Sequence, residues 1–182
     1  MPRKETITKK FLIETAFELA RQEGIENVTA RKLAAKAGCS TQPIFRIYEN
    51  MDDLWQEIFY RAVEFFELYY NECEKVSATP FVNLGFGYIK FASEEPALFK
   101  MLFLSKERYD KSMYEILNGS EGIVAKEMSL AKSKGAANSG DLFTKMWIFI
   151  HGAACMSITG DYDLGDEDTI KLLEASYKSF CG

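Results

Sequence analysis

Histidine is nearly missing from this chain, which has one, His151, in 182 residues. The four cysteines, Cys39, Cys73, Cys155 and Cys181, stand far apart with no C-x-x-C pair. Together these shortages argue against a zinc finger and against a disulfide framework, and leave reduced thiols as the simplest reading, with a redox-sensing cysteine as the alternative. No apolar run approaches the roughly 20 residues that span a bilayer, and Met-Pro-Arg-Lys-Glu-Thr leads into an amphipathic pattern instead of a signal-peptide core, so a cytoplasmic protein is expected. Motifs of catalysis are also missing: no Gly-rich phosphate loop, no G-x-S-x-G elbow, no H-E-x-x-H. No catalytic residue, metal site or cofactor is therefore assigned.

What is present is a globular composition, 47% hydrophobic and 27% charged with only four prolines, and an uneven charge. The net charge of −5 alone speaks against a nucleic-acid partner. Its distribution reverses that impression, because residues 1–48 hold nine Lys and Arg against five Glu, a surplus of +4 that leaves −9 for the rest. A basic head on an acidic body suits a protein that presents one end to phosphate.

The apolar spacing predicts helices throughout, over about 6–23, 30–37, 40–48, 51–74, 81–93, 96–105, 110–134, 141–160 and 166–180. The fold class expected is all-α, about nine helices, and no alternating strand pattern is present. Ser77-Ala78-Thr79-Pro80 breaks the pattern and marks a boundary by its turn chemistry, while the domains are read as 6–66 and 67–182.

The most specific stretch runs from Thr29 to Tyr48. Leu33, Ala34 and Ala37 make the apolar face of a short helix that Thr29 caps. Gly38 supplies the turn, and Ser40 caps a second helix carrying Pro43 in its first turn and Ile44, Phe45 and Tyr48 beyond. That is a helix-turn-helix, whose second helix fits the major groove of DNA. In such docking the N-terminal side chains of the second helix face the bases: Thr41 and Gln42 read edges, Gln by bidentate pairing with adenine, and Pro43 and Ile44 offer apolar contact to thymine methyls. Ile44 reads equally well as core, and so does Phe45. Thr29, Lys32, Arg46 and Tyr48 are phosphate-contact candidates, with Arg3, Lys4, Lys9 and Lys10 as a basic arm.

With Gly24 and Asn50 added, the run G24-x4-T29-x-R31-x-L33-A34-x2-A37-G38-x-S40-x4-F45-x2-Y48-x-N50 resembles the DNA-binding domain of the tetracycline-repressor (TetR) family of bacterial regulators. The resemblance implies a three-helix head at 6–66, a connecting helix 51–74 whose tilt positions the head, and a helical body that binds a small molecule and dimerises. It also implies that the aromatic at Phe45 can touch phosphate. The chain departs from the family pattern at Met51, where a phosphate-touching lysine is usual, so Met51 is left out of the DNA-binding set of Thr29, Lys32, Ser40, Thr41, Gln42, Pro43, Phe45, Arg46 and Tyr48.

Two further sites are expected in the body. Phe86, Tyr88, Phe91, Phe103, Met113, Trp147 and His151 belong to an aromatic and methionine-rich region that lines an adaptable pocket or fills a core. The segment from Trp147 to Ile158 is apolar on nearly all sides, so it is buried either in its own body or between two. The resemblance favours the second, a four-helix interface using Trp147, Ile150, Ala154, Ile158, Ile170, Leu173 and Tyr177. The function expected is a ligand-responsive regulator, most simply a repressor, binding a palindromic operator as a homodimer and released by a small molecule. The alternatives are an architectural DNA binder without ligand and an enzyme of the body using His151 and Cys155, which share one helix face.

Overall fold

A computed structural model describes residues 7–181. Ten α-helices follow one another: α1 Lys9–Glu23, α2 Ala30–Lys36, α3 Gln42–Ile47, α4 Met51–Glu72, α5 Val82–Glu94, α6 Pro96–Phe99, α7 Met113–Asn118, α8 Ile123–Ser133, α9 Ser139–Thr159 and α10 Asp166–Cys181. Among the described residues there is no strand, as the all-helical pattern requires. The expected helix 110–134 is two helices. Gly119 and Gly122 stand between them at φ +56° and +67°, left-handed values that end one helix and start another. The expected helix 96–105 holds its α-helical form only to Phe99 and continues as a π turn over Lys100–Leu104.

The chain divides into two compact units, Met1–Phe65 with Ala97–Asp110, and Phe66–Pro96 with Lys111–Gly182. In the first, α1 starts on Thr8, whose Oγ1 accepts from the Phe11 N–H at 3.1 Å, and ends at Gly24 with φ +90°. Its inner face, Leu12, Ala16, Phe17, Leu19 and Ala20, is buried against Leu33 and Ala34 of α2, Ile44 of α3 and Leu54 and Ile58 of α4 in a single small core. The Trp55 indole donates to the Val28 carbonyl at 3.0 Å, and Arg61 pairs with Glu14 at 3.0 Å while lying over the Phe17 ring. The first turn of α4 is closed by Asn50, whose Oδ1 accepts from the Asp53 N–H at 2.9 Å. Residues 97–110 join this unit instead of the body. The Tyr109 ring lies 5.3 Å from Phe59, and Tyr60 donates its hydroxyl proton to the Tyr109 carbonyl at 3.1 Å.

In the second unit α5 is the central element, buried along Leu84, Phe86, Tyr88, Ile89, Phe91 and Ala92. It packs against α9 through Leu142, Met146, Ile150, Ala153 and Ala154, and against α10 through Leu173 and Tyr177. Gly85 makes this approach possible: a Cβ there would meet Leu173 Cδ2 at 2.8 Å and Ile150 Cδ1 at 3.0 Å. Gly85→Val is therefore expected to lower stability by about 1–3 kcal/mol through overpacking, outweighing the better helix propensity of valine. A urea melt followed by circular dichroism reads the change. An unaltered midpoint would mean that the three helices separate without cost.

By length and composition α9, 21 residues with a mean hydropathy of 1.2 in its most apolar window, is long and apolar enough to cross a membrane. Here its most buried residues face α5, α8 and α10.

Candidate nucleic-acid interface

Helix α3 owes its position to one side chain. Ile44 is fully buried in the head core, which settles it as an anchor and not a base contact. Around it the helix presents Thr41, Gln42, Phe45 and Arg46 to solvent, with Ser40 just ahead. Gln42 and Arg46 are four residues apart and share one face, as do Thr41 and Phe45. Phe45 is 51% exposed, so it is a surface residue and not core. Pro43 is half-buried in the first turn, where its missing N–H leaves no helical bond unmade. The N-cap of α3 is Thr41, not the expected Ser40; its side chain makes no cap bond, and the Ile44 and Phe45 N–H groups donate to the Thr41 carbonyl at 3.1 and 3.3 Å. The exposed side chains at this end form a surface with hydrogen-bonding capacity and no internal use.

The phosphate-contact set changes. Thr29 stays exposed, its Oγ1 accepting from the Lys32 N–H at 3.2 Å as the cap of α2. Lys32 is already engaged, with its ammonium 2.7 Å from Glu23 Oε2 and 3.2 Å from Asn27 Oδ1. Tyr48 is only 4% exposed and its hydroxyl is buried, so it supports the core beneath the surface and cannot reach a phosphate. Burial, and then the Glu57 carboxylate, holds that phenol well above the ordinary tyrosine range, so it stays protonated. Lys9 pairs with Glu57 at 3.0 Å, Lys10 is exposed, and Arg3 and Lys4 lie outside the described residues. Arg31, not chosen from the sequence, is exposed and has no ion pair among the described residues, like Arg46. The helical phase of α2 is the signal that could have found it: Leu33 and Ala34 face inward, and Arg31 leaves on the other side.

The expected pocket residues gather only in part. Tyr88 is fully buried with its hydroxyl 2.9 Å from His151 Nδ1. Trp147 lies 4.9 Å from the Tyr88 ring and stacks on His151 at 5.6 Å, so these three do form one cluster. Phe91 packs instead on Phe66 and Tyr69, Phe103 belongs to the first unit, and Met113 opens α7. Phe86 lines an open cleft of about 320 Å³ with Ile89, Lys90, Tyr162, Leu164 and Thr169, none of which was singled out from the sequence. The His151–Cys155 pair gains nothing as a catalytic dyad. Burial pushes the Cys155 thiol up, the opposite of the activation a nucleophilic cysteine needs.

Residues 12–58, which span α1 to the first turns of α4, match the family model for bacterial regulatory proteins of the tetR family. The head thus carries the N-terminal segment that this family model describes, about a quarter of the chain. The whole fold is similar to that of a protein from Rhodococcus sp. assigned to the TetR family, with a TM-score of 0.64 at 14% identity over 94% of this chain and 97% of that one. A TetR-like transcriptional regulator from Rhodococcus sp. RHA1 gives 0.62 at 16% identity over 98% and 96%. A TetR-family transcriptional regulator from Haemophilus influenzae gives 0.62 at 16% identity over 92% of each chain. No curated protein matches the chain.

The expected dimer residues need correction. Ile150, Ala154 and Leu173 are at most 1% exposed and Tyr177 is 8% exposed, all facing their own unit, so they have next to no surface to share. Trp147, Ile158 and Ile170 are half-buried at the flanks. The outward faces of α9 and α10 carry other residues: Ile148, 67% exposed, Met156, 47%, and Leu172, 36%, with Gly152 open beside them. Phe149 and Phe180 close the seam between the two helices, ring to ring at 6.3 Å.

Proposed function

We propose that this chain is a DNA-binding transcriptional regulator, a ligand-responsive repressor that acts in the cytoplasm, binds a palindromic operator as a homodimer and is released by a small molecule. The observation that carries the reading is the exposed, internally unused surface of α3, with Thr41, Gln42, Phe45 and Arg46 around the Ile44 anchor. Gln42 and Thr41 read bases, while Arg46, Arg31 and the Thr29 hydroxyl hold phosphates. A helix of six residues reads few bases, so two heads about one DNA turn apart are needed for selectivity. The apolar side chains exposed on α9 and α10 favour the second copy, because Ile148 and Met156, eight residues apart on one stripe of α9, and Leu172 on α10 would leave water on association.

Release follows from linkage. A molecule that binds the body more tightly in the DNA-incompetent conformation lowers operator affinity by the same factor that operator lowers its own binding. Helix α4 runs without a break from the head into the body unit and is the covalent route for that change.

Selection of bound duplexes from random sequence, at moderate salt, tests the assignment. The expected product is a palindrome whose half-sites are centred about 10 base pairs apart or a multiple of that spacing. Enrichment of an asymmetric site, or of none, would contradict it.

A further inference from the structure

The body unit holds another open cleft, of about 370 Å³, where the C-terminal end of α4 meets the start of α8. Tyr70, Asn71, Lys75, Glu121, Ile123, Lys126 and Glu127 line it. Three features set its chemistry. Tyr70 is 95% buried, yet its hydroxyl has no hydrogen-bond partner among the described residues, so the only polar atom of this side chain is left to whatever enters the cleft. Lys75 holds its ammonium 4.0 Å from the Tyr70 ring centroid and donates to the Tyr70 carbonyl at 3.3 Å, and it has no carboxylate within ion-pair distance among the described residues. Two of its three N–H donors are therefore unused. Ile123 and the Tyr70 ring supply an apolar wall.

The other charges of the lining have partners of their own, and Glu127 stays within electrostatic reach of Lys75 without forming an ion pair among the described residues. Lys126 is paired with Glu121 at 3.2 Å. Glu127 spends one oxygen on the Phe81 N–H at 2.6 Å, which closes the start of α5. A neutral apolar molecule would strip water from the Lys75 and Tyr70 donors and return nothing. An anion with an apolar tail satisfies all three features, and the volume holds roughly ten heavy atoms at the share a water occupies in the liquid.

We propose that the effector is a small organic monocarboxylate, bound with its carboxylate between the Lys75 ammonium and the Tyr70 hydroxyl and its apolar part on Ile123. The proposal rests on the ligand-responsive reading and adds the class of molecule and the place. The Glu127 carboxylate faces the same cleft and opposes the bound anion, so it limits affinity. Glutamine in its place keeps an oxygen for the Phe81 N–H and removes the repulsion.

The test is calorimetric titration of the full chain with benzoate and hexanoate, against benzamide and hexylammonium. Both carboxylates are expected to bind at least tenfold more tightly than the amide and the amine. Lys75→Met should weaken carboxylate binding tenfold or more, Tyr70→Phe several-fold, and Glu127→Gln should tighten it, a gain that a merely structural role for Glu127 would not produce. The same carboxylates should release the chain from its selected operator. Equal binding of benzamide or hexylammonium, or full binding by Lys75→Met, overturns the site. Carboxylates that bind through Lys75 and leave operator affinity unchanged overturn the effector role. If neither carboxylate acts but another class of molecule releases the operator, this proposal falls and the ligand-responsive reading stands.

Discussion

A glutamate at Ile148 is expected to give a folded monomer that binds the selected operator at least a hundredfold more weakly than the native chain. Ile148 is 67% exposed on α9, and Met156 and Leu172 are exposed on the same pair of helices. Burying three such side chains and their flanks between two copies contributes on the order of 1.5–3 kcal/mol for each one fully covered. A buried, unpaired carboxylate at that point reverses the sign. Loss of the dimer turns one bivalent binding event into two independent ones, and linkage of two modules commonly raises avidity by about 10²–10⁴. The fold itself is safe, because the Ile148 side chain faces solvent within one chain. Ile150→Glu is the contrast: that residue is 1% exposed beneath Gly85, and the substitution should unfold the body instead of splitting a dimer. Light scattering after size exclusion gives the mass, circular dichroism the fold, and a gel shift on the selected duplex the affinity. A native-like dimer with Ile148→Glu would remove this face as the interface.

The contrast between Ile148 and Ile150 also marks where sequence reasoning runs out. The head was legible because its signals are local: a cap at Thr29, a turn at Gly38 and an inward residue every three or four positions. Even there Ile44 and Phe45 were each open to two readings, and only the docking of α3 on the head core separates the buried one from the exposed one. In α9 the apolar residues cover the whole circumference, so periodicity carries no phase. Which stripe turns inward is set by α5, through Gly85, and not by α9 itself. The cleft residues were missed for a similar reason. Lys75, just past the end of α4, and Glu127 on α8 are distant in sequence and line one cleft, and no spacing rule joins them. The split at Gly119 and Gly122 was readable in principle, since two glycines three apart inside a long helix are a stop signal.

The head makes the same point with charge, and there it can be measured. Arg31→Ala and Arg46→Ala are each expected to weaken operator binding about tenfold near physiological salt, and the double substitution about a hundredfold, whereas Lys32→Ala should cost only a few-fold. Sequence alone favours Lys32, a lysine in the first turn of α2. The folded head ties that ammonium to Glu23 at 2.7 Å and to Asn27 at 3.2 Å, so contact with a phosphate would first have to break an ion pair. Arg31 and Arg46 are exposed without an ion pair among the described residues, and their forked donors suit phosphate oxygens better than an ammonium does. The salt dependence identifies the kind of contact. Loss of one phosphate contact lowers the slope of log affinity against log salt by about 0.9, so the double substitution should flatten it by about 1.8. An arginine that reads a base instead leaves the slope nearly unchanged and relaxes the preference at one operator position. A Lys32→Ala protein weaker than both arginine variants would mean that the Glu23 pair opens on DNA, and that the surface drawn by the free head is not the one the operator meets.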